Sequence, residues 1–146
     1  MMMAVERTLT VAGRFESLAR ISDFVTQVAR DAGFDEDEVF HVQMAVDEAC
    51  SNVIEHAYGQ DVRGDITLIC SDAHEGDLRI DIHDRGRPFD PDTVPSPQIA
   101  EGAVDLDDMK AGGLGLFFMR KLMDEVTFRF DTKTGNQLTM VKRRRR

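Results

Sequence analysis

The stretch from Asp35 to Gly59, DEDEVFHVQMAVDEACSNVIEHAYG, limits the folds open to this chain more than any other. Val39, Val42, Val46, Ala49 and Val53 recur at steps of three and four, so the segment reads as one long amphipathic helix with a single apolar stripe. Asp35 and Glu38 form a capping-box-like pair with Asp as the cap. Four acidic residues in the first turn suit the positive end of the helix dipole, and Gly59 is a C-terminal stop. A helix with one apolar face needs a partner layer, so the rest of the chain must supply one. Beside the stripe, Glu48, Asn52 and either Glu55 or His56 follow at spacings of three and four, one turn apart along its edge. A carboxylate and an amide at a core boundary can serve a half-buried cleft. The same pattern also suits a solvated polar edge.

The chain has 146 residues, room for one domain with a real core, expected to span 1–146. Apolar residues at 42% and charged residues at 31% fit a globular protein in water, with no apolar run long enough for a membrane span. The opening MMMAVERTLTV has no basic segment followed by an apolar core, so no signal peptide is expected. Cys50 and Cys70 each sit in an apolar pattern and read as buried free thiols in a reducing, cytoplasmic setting. The net charge is −9. Lys142 to Arg146 contribute +5, leaving −14 on the body, which argues against a nucleic-acid partner. The basic tail, 142–146, reads as a disordered, solubilising end.

The order read along the chain is β-α-α-β-β-loop-α-β-β. Arg7 to Ala12 alternates as a strand, and Arg14 to Ala32 carries Leu18, Ile21, Val25 and Val28 at helical spacing. The long helix follows, then strands Asp65 to Ser71 and Asp77 to Asp84 around a hairpin turn at Glu75 and Gly76. An irregular segment, Arg85 to Ala111, holds all four prolines and reads as a lid or binding loop, or else as a disordered insertion. Gly112 to Glu125 reads as a glycine-started helix, and Val126 to Phe130 and Gln137 to Lys142 as closing strands. Hairpin-joined strands with interspersed helices suggest an α/β (α+β) sandwich: a mixed, mostly antiparallel sheet with helices on one face.

Asp84 is in phase with Leu78, Ile80 and Ile82, so a carboxylate falls on the core side of a strand end. It needs a partner: a ligand amino group such as the exocyclic amine of adenine, or the turn at Arg85–Gly86 that it would cap. Gly86 permits close backbone approach and Pro88 stiffens the exit. Gly112, Gly113 and Gly115 open a helix, where unpaired N–H groups favour phosphate; a flexible hinge is the other reading. No third glycine of a dinucleotide fingerprint and no P-loop lysine are present. Lys110 could reach a terminal phosphate or be solvated, and His56 could line the cleft of Asn52 or sit satisfied at a boundary. His41, His74 and His83 have no metal-ligand spacing.

Three of these pieces, in this order, resemble the GHKL ATP-binding superfamily shared by gyrase, MutL and histidine kinase ATPase domains. Glu48-x-x-x-Asn52 resembles its N-box, Asp84-Arg85-Gly86-Arg87-Pro88 its adenine-receiving D-x-G-x-P pattern, and Gly113-Leu114-Gly115-Leu116 its second glycine box. Within it, DEACSNVIEHAYG, DRGRPFDP, GGLGLFFMRKLMDEV and GNQLTMVKR are most similar to the small anti-sigma-factor serine/threonine kinases of bacteria, the RsbW type. The resemblance implies the Bergerat-type fold, with ATP and Mg²⁺ between helices and a mobile lid over about 85–111. It implies Glu48 as general base, Asn52 as magnesium ligand and Asp84 as adenine acceptor. Gly86 and Pro88 would line the base pocket, and the segment Gly112, Gly113, Leu114, Gly115, Leu116 would give backbone N–H groups to phosphates, with Lys110 balancing charge. The implied partners are an anti-anti-sigma protein of STAS type, whose serine or threonine is phosphorylated, a sigma factor, and a second copy in a homodimer. The alternative function is a non-catalytic ATP-binding module that holds a partner without transferring phosphate.

Overall fold

The computed structural model describes residues 6–58, 64–72, 76–86, 113–131 and 133–144, with backbone alone for 56–58 and 113–114. Among the described residues five strands form one sheet: β1 (Arg7–Ala12), β2 (Asp65–Asp72), β3 (Leu78–Asp84), β4 (Glu125–Asp131) and β5 (Gly135–Lys142). Their spatial order is β1-β2-β3-β5-β4, and all four described pairings are antiparallel. The α-helices described are α1 (Leu18–Asp31), α2 (Glu36–Asn52) and α3 (Gly113–Leu122), which pack on it.

Alternation along the strands explains why the helices lie on one face. Ile66, Leu68 and Cys70 of β2, Leu78, Ile80 and Ile82 of β3, and Leu138 and Met140 of β5 are buried toward the helices. Ile21, Val25 and Val28 of α1, Val39, Val42 and Val46 of α2 and Met119 of α3 complete that core. The residues in between on the strands form a largely polar outer face. There Asp81 of β3 is buried yet fully served: it pairs with Arg79 at 3.0 Å and accepts from Thr139 Oγ1 at 2.6 Å and Gln137 Nε2 at 3.1 Å. Burial alone would raise its pKa, but these donors hold it below the ordinary carboxylate value.

The start of α2 matches the capping box. Asp35 accepts from the Glu38 N–H at 2.8 Å, and Glu38 Oε1 accepts from the Asp35 N–H at 3.3 Å. Its end differs from one continuous helix to Gly59. The α-helix stops at Asn52, and Val53–Tyr58 form a π-helical segment. The wider turn changes the angular step, so position 56 no longer stacks one α-turn beyond Asn52.

The basic tail is also corrected. Lys142 is the last residue of β5, is buried, and donates from Nζ to the Leu122 carbonyl at 2.8 Å. The Arg143 N–H donates to Asp124 at 2.6 Å and the Arg144 N–H to Asp77 at 2.8 Å. The Arg144 guanidinium donates to the Ala32 carbonyl and lies 5.6 Å from the Phe34 ring centroid. Through residue 144 the tail is built into the fold, because carbonyls and carboxylates at this end of the molecule give each charge a partner.

Candidate active site

The chain directions bring the candidate segments to one end of the sheet. α2 begins beside Arg144, at the end of the sheet where β5 finishes, and runs to Asn52 at the opposite end. β3 ends there at Asp84, opposite Asn136 at the head of β5. α3 starts there and runs back, ending at the Leu122 carbonyl that Lys142 caps. α2 and α3 are therefore antiparallel neighbours.

A pocket of ≈ 470 Å³, counted with its open mouth, lies between these elements. Ala49, Asn52 and Val53 line it from α2 and the π segment, Asp84 from β3 and Met119 from α3. Phe128 and Arg129 of β4 and Asn136, Gln137 and Leu138 of β5 close it. Most of the wall is apolar and the buried charge is one carboxylate, the combination expected of a site for a flat heteroaromatic base.

Asp84 is held by donors. Its Oδ1 accepts from the Gly86 N–H at 2.9 Å and from Asn136 Nδ2 at 2.8 Å, and Asn136 also donates to the Gly86 carbonyl at 3.1 Å. Asp84 thus caps its own turn and also lines the pocket. Burial pushes its pKa up, and the two hydrogen bonds pull against that shift without cancelling it. Gly135, at φ +95°, is required here, since a Cβ would collide with the Asp84 carbonyl.

Glu48, four residues before Asn52, is half-buried at the seam between α2 and α3. Its carboxylate fills the space a Cβ on Gly115 would take. The N-box-like pair and the glycine box are therefore in direct contact through a residue whose missing side chain makes room for the acid. Gly113 to Leu116 form the first turn of α3, where N–H groups lack intrahelical partners. The Leu116 side chain is buried, so only its backbone can face an anion. Pro88, Lys110 and Gly112 lie outside the described residues, as do the lid expected over about 85–111 from residue 87 onward and the side chains of His56 and Leu114.

Asn136 and Gln137 were not singled out from the sequence. The available signal was a turn glycine followed by two amides at the head of a closing strand; the pairing of that strand with β3 gives it meaning. Among the described residues no cluster of three or more metal-ligating side chains occurs. The side-chain amide oxygen of Asn52, on the α2 side of the pocket, fits a magnesium ion that takes its other ligands from phosphates and water.

The histidine kinase-like ATPase domain family matches residues 11–142. A serine-protein kinase RsbW of Halalkalibacterium halodurans is 32% identical over 139 residues, covering 94% of this chain and 82% of that protein. The serine-protein kinase RsbW of Bacillus subtilis is 36% identical over 118 residues, covering 79% and 71%.

This chain belongs to the RsbW family of histidine kinase-like ATPases.

The RsbW fold is also found in a Mycobacterium tuberculosis structure of RsbU and RsbW domains, with a TM-score of 0.67 at 18% identity, covering 96% of this chain and 32% of that one. A blue-light-activated histidine kinase domain of Erythrobacter litoralis shares it at a TM-score of 0.53 and 19% identity, over 87% of this chain and 59% of that one. RsbW kinship agrees with the α/β architecture described above. Among the described residues no helix is long and apolar enough to cross a membrane.

Proposed function

We propose that this chain is an ATP-dependent serine/threonine kinase that phosphorylates an anti-anti-sigma protein of STAS type and, between such events, sequesters a sigma factor. The observation that carries the reading is that Asn52 and Asp84 share one pocket while Glu48 stands at the adjoining seam against Gly115. Asp84 accepts from the adenine amine, and its two donors fix the carboxylate for that bond. Asn52 would hold Mg²⁺ through its side-chain oxygen, and the ion would supply charge neutralisation at the phosphates. Glu48 takes the proton from the acceptor hydroxyl as that oxygen bonds to the terminal phosphorus; the bond from phosphorus to the bridging oxygen breaks and ADP leaves. The first-turn N–H groups of α3 stabilise the phosphate oxygens. The phosphorylated acceptor carries about two more negative charges and leaves an acidic kinase, which is then open to a sigma factor. The protein works in the cytoplasm, as a homodimer.

The test is transfer of radiolabel from ATP to purified STAS-domain protein. Wild type labels it, and Glu48→Ala lowers the rate at least ~100-fold while ATP still binds. Binding without transfer by wild type would make the protein an ATP-dependent holding module instead. Asn52→Ala is expected to abolish the magnesium dependence of nucleotide affinity in calorimetric titrations with and without Mg²⁺; unchanged affinity would remove Asn52 from the site.

A further inference from the structure

The outer side of the seam that holds Glu48 carries an apolar patch which the reaction above does not use. On α2, Phe40 is 56% exposed and Met44 is 43% exposed. They lie four residues apart on one line that continues to Glu48. On α3, Phe118 is 43% exposed. Because α2 and α3 are antiparallel and Gly115 meets Glu48, the residue one turn beyond Gly115 lies toward the residue one turn before Glu48. Phe118 and Met44 thus share the outer rim of the seam, with Phe40 next along it. Phe118 is braced edge-on by Phe117 at 5.7 Å between ring centroids, so it is presented with restricted freedom. Asp37 and Asp47, both exposed, flank Phe40 and Met44 on the same face of α2. Large apolar side chains this exposed, in a row with acids beside them, form a surface suited to a protein.

We propose that this face, Phe40, Met44 and Phe118 between Asp37 and Asp47, is the docking surface for the phosphoacceptor protein. The inference rests on the kinase reading, since a base at Glu48 fixes where the acceptor hydroxyl must arrive. A folded substrate that delivers a hydroxyl to the seam has to cover its outer rim. The chemistry of the rim sets the partner's: an apolar contact around the acceptor serine or threonine, edged with lysine or arginine opposite Asp37 and Asp47. Rim charges of this kind would make association salt-dependent, while the apolar anchors would set the lifetime of the complex.

The experiment uses Phe40→Ser and Met44→Gln, both exposed positions away from the pocket, against STAS-domain proteins of the host purified one at a time. Binding is read by calorimetry, phosphotransfer by radiolabel, and ATP affinity separately. Expected is a rise of at least about tenfold in KM and Kd for the acceptor protein, the loss of one buried anchor. The kcat at saturation, the ATP affinity and the transfer to a short acceptor peptide should stay within about twofold. If wild type binds an acceptor through Phe40 yet transfers nothing, the kinase reading fails and the docking face stands. An acceptor KM and Kd that Phe40→Ser and Met44→Gln leave unchanged overturn the proposal. So does a wild-type dimer that Phe40→Ser converts to monomer, which would give the face to a second copy of this chain.

Discussion

Gly115 and Glu48 show how one absent methyl group can govern a site. A Cβ at 115 displaces the Glu48 carboxylate rather than the α2 backbone, since the atoms it meets belong to the Glu48 side chain. Gly115→Ala should therefore leave urea-denaturation stability within about 1 kcal/mol, alanine being the better helix former. Phosphotransfer should fall at least about tenfold, because a misplaced base is costly. Adding Glu48→Gln to Gly115→Ala should cost little more than Glu48→Gln alone; additive losses would separate the two residues. At Asp84 the sign of the pH effect follows from the raised pKa. The fold favours the protonated acid, so ionisation costs stability as pH rises from the unfolded value through the raised one. Nucleotide affinity runs the other way, because the ionised carboxylate is the stronger acceptor. Affinity for an ATP analogue should decline on acidification already above the ordinary Asp value of 3.8. Asn136→Ala should move that decline to higher pH, since it removes a donor to the carboxylate. Calorimetric titrations over a pH series measure both, and a midpoint at or below the ordinary value would contradict the account.

At the scale of elements, α2 was legible at its beginning and not at its end. Its start is written in local chemistry: Asp35, an acidic first turn and Glu38 at the reciprocal position. Asp35→Ala removes the side-chain acceptor of the Glu38 N–H, leaving only the backbone N–H of residue 35 to bond Glu38, and should lower stability by about 1 kcal/mol in urea unfolding; no change would mean the tertiary packing holds the helix start unaided. The π segment after Asn52 has no local mark in the sequence, since the apolar spacing of Val46, Ala49 and Val53 simply continues the α-helical pattern. Strand identities could be read from alternation. The neighbour of β3 being β5, and hence the role of Asn136, could not, since pairing between distant segments leaves no periodicity. The lysine and arginines after Met140 differ from the expected solvated tail for a related reason. Charge runs at a chain end are normally solvated, and the acceptors that hold Lys142 and Arg144, the carbonyls of Leu122 and Ala32, come from other parts of the sequence.

Over the whole molecule, Arg144 ties the last strand to the α1–α2 junction and to the turn before β3, filling the space against Gly33 and Gly76. Arg144→Ala should destabilise the fold by about 1.5–3 kcal/mol, the range for hydrogen bonds from a charged group, without changing nucleotide affinity. A binding defect with intact stability would instead place the tail in the site. The larger arrangement is a sheet whose one face is closed by three helices and whose end gathers α2, β3, β5 and α3 around one pocket. The central claim is that these four elements hold a single nucleotide. A crystal structure with a non-hydrolysable ATP analogue and Mg²⁺ tests it most directly. The account predicts the adenine amine on Asp84, magnesium on the Asn52 oxygen, and the terminal phosphate between Glu48 and the first turn of α3. A nucleotide bound elsewhere, or one whose base and terminal phosphate miss Asp84 and Glu48, would contradict it.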